Sequence, residues 1–500
     1  MDAPTPKAKQ PPMYLGLDIG TTATKGVLVD DGHAVIASAH VGYNLHQPTQ
    51  EISEFDPQAW IDAICAVAGA LRAKEPTAFQ AVQAIGLSGQ MHSLVALDVD
   101  GRPVRPAILW NDGRGVAEAR LLRQAVPNVG TLTGVLPMAS FTAAKLLWLR
   151  EYRANEFARI AHVLWVKDYV RHWLTGEFAT DMSDAAGSLL FDQANRCWAD
   201  AVVDYVGLQP RALPRILEGT ERSGTLGRSA AAELGLPANI PVAAGGGDTP
   251  VGALGLGCVN QGDAFISLGT GTVFVTVQES YQPRPESLLH TFAHCVPHRW
   301  YQMAAMLNGA SCLAWVSQLV GSPDVGSLVR RTEERAGGPS RVLFAPYLRG
   351  ERTPHDDALA RGAFVGLDAA CGPTDLAQAV LEGVAFSLRQ GQDLFADETA
   401  RTRAVGLIGG GSRSPYWNRL TASILDRPLH LFADADVAGA VGAVRLAMLM
   451  TGHLTVGSLP AWPVSQVVEP QPELVAAYAE RYHLFRELYP ALRPFTQNVN

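Results

Sequence analysis

Everything else in the chain has to accommodate Tyr14-Leu-Gly-Leu-Asp-Ile-Gly-Thr-Thr-Ala-Thr-Lys25, which runs on into Gly26-Val-Leu-Val-Asp30. Leu15, Leu17 and Ile19 precede a Gly-Thr-Thr corner and Val27 to Val29 follow it, which reads as a β-hairpin. Gly20 permits a tight bend, and Thr21 and Thr22 add hydroxyls and N–H groups that suit phosphate oxygens. Asp18 is the odd member, a carboxylate inside an apolar strand. A bare carboxylate is costly to bury. A magnesium ion carried by a nucleotide would offset that cost. An ordinary hairpin with a polar turn is the competing reading of the same residues.

A second copy favours the phosphate reading. Ala264-Phe-Ile-Ser-Leu-Gly-Thr-Gly-Thr-Val-Phe-Val-Thr276 repeats the apolar run, the Gly-Thr corner and the second apolar run. Gly269 and Thr270 correspond to Gly20 and Thr21, and Ser267 to Asp18. Two such hairpins far apart suggest two similar domains, each opening with a phosphate-holding corner. Only the first copy keeps the carboxylate, so the hairpin does not need it.

With 500 residues there is chain for two large cores, and 47% hydrophobic against 18% charged residues is ordinary for a globular protein. The formal net charge of -8 argues against a nucleic-acid or anionic-membrane surface. No apolar run approaches the roughly 20 residues of a membrane span. Residues 1–12 have no apolar core of a secretory signal and read as a mobile tail. The six cysteines are scattered without a Cys-x-x-Cys pair, which fits a reducing cytoplasm and gives no metal site.

Along the chain, Ala34 to Val41 reads as a third strand, and Asp56-Pro57 opens a helix with Trp60, Ile64, Val67 and Leu71 at helical spacing. The strand Val82–Leu87 ends in Ser88-Gly-Gln-Met-His92, where Gln90, Met91 and His92 are either site residues or a packed turn. A strand from Ala107 delivers Trp110, Asn111, Asp112 and Arg114 into a loop, by default a plain turn. From Glu118 to about Asn195 the chain reads as mostly helical, with Lys167-Asp168 and Asp181-Met-Ser-Asp184 as loops of no assignable role. Ala244-Gly-Gly-Gly-Asp248 is a glycine corner before a small-residue helix, where Asp248 is a helix cap or a functional carboxylate. Glu351, Arg352 and His355 are solvated charges or a brace between domains, and Thr374 caps a helix running to Gln390. Ile408-Gly-Gly-Gly-Ser-Arg-Ser-Pro-Tyr-Trp-Asn418 is a third glycine corner at a helix start, suited to an anion. Val437–Ala447 is a small-residue helix fit for close packing, and Leu474, Tyr478, Tyr482, Phe485 and Tyr489 stripe a last amphipathic helix.

The hairpin pair and the glycine corners at 245–248 and 409–412 resemble the actin-like ATPase superfamily. Within it the chain is similar to the FGGY carbohydrate kinases over nearly its whole length. The resemblance is carried by Leu-Asp-Ile-Gly-Thr-Thr at 17–22, Ser-Gly-Gln-Met-His at 88–92, Leu-Trp-Asn-Asp-Gly-Arg at 109–114 and Asp-Met-Ser-Asp-Ala-Ala-Gly at 181–187. It continues in Ala-Gly-Gly-Gly-Asp at 244–248, Ser-Leu-Gly-Thr at 267–270, Gly-Glu-Arg-Thr-Pro-His at 350–355 and Ile-Gly-Gly-Gly-Ser-Arg-Ser at 408–414.

The resemblance implies an α/β protein of two ribonuclease-H-like (actin-like ATPase) lobes with a nucleotide and sugar cleft between them. The implied division is a sugar-binding lobe over 13–257, a nucleotide-binding lobe over 258–455 and a helical extension over 456–500. It implies ATP and Mg²⁺ as cofactors and a cytoplasmic enzyme. The Gln-Met-His motif points within the family to phosphorylation of D-xylulose or a related ketose. Asp248 matches the family's catalytic base, and Met91 and His92 its sugar contacts, with Gln90 and Trp110 beside them. Asp18, Thr21, Thr22, Gly269 and Thr270 fall to the metal and phosphates, and Gly410, Gly411 and Asn418 to the adenosine end. Thr249 replaces the usual Asn after the base, and Gly269-Thr-Gly-Thr272 departs from the usual Gly-Thr-Ser-Gly, so the sugar is less fixed than the kinase class. A homodimer is entertained without a residue to carry it. Open alternatives are a kinase of another pentulose or polyol, an actin-like ATPase without a sugar, and a sugar-binding regulator. The presence of both Asp18 and Asp248 argues against the last.

Overall fold

The structure is a computed structural model that describes residues 11–44, 49, 51–395 and 403–496. Ten residues of the expected tail, 1–10, lie outside the described residues. The chain divides into two compact units. One comprises Met1–Val259, Phe292–Trp300 and Val437–Ala461; the other comprises Asn260–Thr291, Tyr301–Asp436 and Trp462–Asn500.

In the first unit the hairpin forms as its sequence requires. Met13–Ile19 pairs antiparallel with Ala23–Asp30, and the Gly20 N–H closes the corner on the Ala23 carbonyl at 3.0 Å. Met13–Ile19 runs parallel to Val82–Gly89 on its other side, with Asp18 in register with Ser88. The full order is Arg222–Thr225, Pro241–Ala243, Val82–Gly89, Met13–Ile19, Ala23–Asp30, Val35–Gly42, with Gly246–Gly247 also pairing with Val82–Gly89.

The second unit repeats this order. Thr272–Gln278, Ala264–Leu268, Val405–Ile408, Leu429–Phe432 and Val464–Val468 follow one another in its sheet. An antiparallel hairpin is again joined to a parallel strand, a second parallel strand and an antiparallel edge strand. The sequence echo between the hairpins is therefore an echo of topology.

Each sheet buries a helix by the expected pattern. Asp56 accepts from the Gln58 N–H at 3.0 Å and starts the helix Pro57–Lys74, whose Trp60, Ile64, Val67 and Leu71 are fully buried. In the second unit Pro373–Asp393 and Pro415–Leu425 share one core with Tyr478, Tyr482 and Phe485 of the last helix, Pro472–Thr496. The cap of the helix at 373 differs from expectation. Gly372 is the N-cap and the Asp375 carboxylate accepts its N–H at 2.9 Å, because Pro373 takes the first helical position and carries Thr374 inside. The stretch 118–195 is also less helical than expected, since the short strands His162–Leu164, Ala179–Asp181 and Phe191–Asp192 interrupt it.

The helix Ala438–Met450 falls within the stretch read from sequence as the second lobe, and it packs on the sheet of the first unit. Its backbone rests directly on glycines: a Cβ on Gly16 would collide with the Ala440 carbonyl, and one on Gly86 with the Ala443 carbonyl. It also meets the helix Asp248–Leu256 backbone to backbone, through Gly255 against Ala438 and Gly442 against Val251. These are the two small-residue helices of the sequence, and each is the other's partner. None of the described helices is long and apolar enough to cross a membrane.

Gly86→Ala should therefore cost about 2–3 kcal/mol, at the upper range of overpacking, because the obstructing atom is backbone. Urea denaturation of the purified variant reads this directly. An unchanged midpoint would mean that the helix does not sit on the strand.

Candidate active site

The register of three neighbouring strands gathers the first set of candidate residues. Asp18 lies beside Ser88, and Ser88 beside Gly246, two residues before Asp248. The Ser88 hydroxyl donates to Asp18 Oδ1 at 2.7 Å. Burial raises the pKa of Asp18 against the lowering effects of Ser88 and Lys25. Asp248 is pushed up to about 7 by burial and by the charge of Asp18, although the Thr249 N–H donates to its Oδ1 at 2.8 Å. Gly247 is the helix N-cap and Asp248 is the first helical residue. The capping reading of Asp248 is thus not the geometry found.

The polar residues after Val82–Gly89 close around the hairpin corner. Gln90 Nε2 donates to the Gly20 carbonyl at 3.2 Å, and the Thr21 hydroxyl reaches Gln90 Oε1 at 3.4 Å. Trp110 Nε1 donates to Thr21 Oγ1 at 2.9 Å, so Trp110 joins this corner. Its loop neighbours do not. Asp112 is buried, accepts the Ser53 N–H at 2.9 Å and pairs with Arg114, which also pairs with Glu54. That part of the loop is scaffold. Thr22 is exposed at the corner, and its carbonyl accepts the Tyr43 N–H.

Met91 and His92 are both buried. His92 adopts φ +69, the left-handed region that few non-glycine residues occupy. Its Nδ1–H donates to the Gly187 carbonyl at 2.6 Å, which in the neutral ring makes Nε2 the acceptor. Phe141 meets the ring edge-on at 4.8 Å. Met91 packs on Gly247, where a Cβ would come within 2.5 Å of its Cγ. Met91, His92 and the residue before Asp248 therefore share one neighbourhood.

The segments that had no assignable role lie directly behind. Lys167, Asp168, Arg171, Asp181 and Asp184 are fully buried together. Lys167 Nζ lies 2.8 Å from Asp181 Oδ1 and 3.3 Å from Asp184 Oδ2, and it also pairs with Asp168. Burial opposes the charge of Lys167, but the carboxylates of Asp168, Asp181 and Asp184 hold its pKa above the ordinary lysine value. Burial drives Asp184 the other way, well above the usual carboxyl range, and the charges of Asp168 and Asp181 add to that. Sequence spacing could not find this cluster, because its members come from a helix, a strand end and a short turn of helix.

The second unit brings its own candidates together. The Ala310 N–H donates to the Gly269 carbonyl at 2.7 Å, and the Ser311 hydroxyl to the Thr270 carbonyl at 2.7 Å. The helix Ala310–Leu319 thus begins at the Gly-Thr corner, a feature the sequence reading missed. Gly409, at φ +92, lies against the Leu268 backbone and turns the chain into Gly410–Arg413. Gly410 is exposed and Gly411 is packed against Leu268 and Trp417. Asn418 is buried, and its Nδ2 donates to the Ser412 carbonyl at 2.7 Å.

Glu351 is not a solvated charge. It is 1% exposed, accepts the N–H groups of Leu307 and Arg352 at 2.7 and 2.8 Å, and is raised to about 7 by burial. His355 stacks on Tyr489 at 3.6 Å and bonds the Tyr347 hydroxyl at 3.0 Å. Both side chains stabilise the inside of the second unit.

Two units with one strand order and a Gly-Thr hairpin in each define an actin-like ATPase fold. The chain belongs to the FGGY family of carbohydrate kinases, with residues 13–255 matching its N-terminal domain and 264–451 its C-terminal domain. It is 41% identical over 484 residues to the xylulose kinase of Escherichia coli (strain K12), covering 96% of this chain and 99% of that one. Among solved structures, one described as a xyloylose kinase from Brucella ovis is 42% identical, with a TM-score of 0.91, over 97% of this chain and 100% of that chain. A gluconate kinase from Lactobacillus acidophilus reaches the same TM-score at 26% identity, covering 98% and 100%. The chain is a kinase that uses ATP.

Proposed function

We propose that the protein transfers the γ-phosphate of ATP to D-xylulose, giving D-xylulose 5-phosphate and ADP, with Asp248 as the general base, in xylose catabolism in the cytoplasm. The observation that carries the mechanism is the placement of Asp248: half-buried at a glycine-rich strand end, next to the Gly247 on which Met91 packs, with its pKa pushed up to about 7 by burial and by Asp18. A base matched to neutral pH is what abstraction of a hydroxyl proton calls for. As the sugar oxygen bonds to phosphorus and the bond to ADP breaks, the hydroxyl proton passes to Asp248. Met91 and His92 hold the ketose, His92 through the nitrogen opposite its bond to Gly187. Gln90 and Trp110 fix the Gly20–Thr21 corner, and Thr21 and Thr22 there take phosphate oxygens. In the second unit Gly269 and Thr270 take phosphate oxygens, and Gly410, Gly411 and Asn418 the adenosine end.

Magnesium fits the residues present. Burial raises both Asp18 and Asp248, the charge of Asp18 adds to the rise at Asp248, and a divalent ion at Asp18 relieves that repulsion. Bound there, it would neutralise phosphate charge.

Similarity to xylulose kinases supports the choice of sugar, and the equally similar fold of a gluconate kinase supports a second reading, a kinase of another polyhydroxy substrate. A coupled ATP assay over D-xylulose, D-ribulose, L-ribulose, glycerol and D-gluconate separates them. D-xylulose should give the highest kcat/KM by at least about tenfold, the scale of one well-made polar contact. A higher value for another member would reassign the substrate.

His92→Ala should raise the KM for D-xylulose by roughly tenfold, as for a lost hydrogen bond of about 1–2 kcal/mol, and leave the KM for ATP near its starting value. Unaltered sugar kinetics would remove His92 from the site.

Asp248→Asn keeps an acceptor for the Thr249 N–H, so its melting temperature should move by only a few degrees. Its kcat should fall by about 10²–10⁴-fold, the usual share of a positioned base. A variant with a normal rate would place the base elsewhere.

A further inference from the structure

The segment Asp181–Gly187 holds two elements of the site at once. At one end Ser183 Oγ accepts the Gly247 N–H at 3.0 Å, one residue before Asp248. At the other, the Gly187 carbonyl takes the His92 Nδ1 proton at 2.6 Å. A serine hydroxyl has one proton, and here Asp181 Oδ2 receives it at 2.5 Å. The lone pairs of Ser183 Oγ are thereby turned to Gly247, and the rotor has no second choice. Asp181 is in turn fixed, since its Oδ2 also takes the Ser183 N–H at 2.7 Å and its Oδ1 pairs with the buried Lys167. Arg171, from the same buried cluster, donates to the Ala244 carbonyl at 3.2 Å and so pins the other end of the glycine corner.

We propose that Ser183 is a positioning residue for Asp248: through Lys167 and Asp181 it locks the Gly247 amide, and with it the direction in which the Asp248 carboxylate leaves the helix start. This rests on the reading of Asp248 as the base. Glycines at 245, 246 and 247 give that corner more conformational freedom than any other residue would. A carboxylate that must meet a hydroxyl proton at hydrogen-bond distance cannot be presented from a loose corner. The Ser183 contact removes the freedom next to the carboxylate. Ser183 does not itself face the substrate in this scheme, because both of its bonds are spent inside the protein.

The test is a kinetic cycle on the full-length protein with ATP, Mg²⁺ and D-xylulose. Ser183→Ala should lower kcat, counted per mole of folded enzyme, by about tenfold or more while the KM for ATP stays within about twofold. In an Asp248→Asn background the same substitution should cost less than about twofold, because there is no base left to aim. Melting temperatures are recorded for all variants, with assays run well below them. If the alanine variant does not fold, Ser183→Cys, a weaker acceptor of similar size, carries the same expectations. Undiminished kcat in Ser183→Ala, or an equal fold-loss in both backgrounds, overturns the positioning role while a slow Asp248→Asn enzyme leaves the base assignment standing. A normal rate in Asp248→Asn overturns both.

Discussion

The first unit depends on a contact with no side chain on one side of it. Gly16 and Gly86 let the helix Ala438–Met450 approach the strands Met13–Ile19 and Val82–Gly89 until main chain touches main chain, and Gly442 and Gly255 do the same between this helix and Asp248–Leu256. Dispersion contacts are individually small, so an approach this close matters by their number. Its geometric effect matters more. Asp18 ends one of those strands, Gln90 to His92 follow the other, and Asp248 begins the second helix. One helix backbone is thus the common reference for every candidate residue of this unit. Gly439 belongs to the same device, since any side chain there would occupy the space of the Asp18 carboxylate.

Buried acids are handled in two ways in this chain, and the difference separates site from scaffold. Asp112 is neutralised by Arg114, the Lys167 group is balanced internally, and Glu351 is held by main-chain N–H groups. Asp18 has the Ser88 hydroxyl and the charge of Lys25, Asp248 has the amide and hydroxyl of Thr249, and the charge of Asp18 still raises Asp248. Repulsion left uncompensated at a strand end marks a place where charge is expected from outside the polypeptide.

The hairpins, the third strand and the helix opened by Asp56-Pro57 were legible in the sequence because their signals are local: alternation, a glycine corner, a cap followed by proline. Glycine corners mark Asp18, Met91 and Asp248 as strand-end residues, but their roles come from the family resemblance, since spacing alone also fits a packed turn or a helix cap. What stayed hidden is non-local. The small residues of 437–447 announced close packing but could not name the sheet or the helix on which they pack. Lys167, Asp181 and Ser183 lie on three elements, and no periodicity links a lysine to the carboxylates that hold it. Thr374 looked like a cap because Thr often is one, yet proline at 373 moved the helix start upstream. Asp112 and Arg114 read as part of a plain turn, because their partners, Ser53 and Glu54, are distant in sequence.

The discontinuity of the first unit bears on how the protein is made. Residues up to Val259 leave the ribosome long before Val437–Ala461, the stretch that covers the Gly16 and Gly86 face. Throughout the synthesis of the intervening chain that face has no lid of its own, so the unit is finished only when most of the polypeptide has been translated.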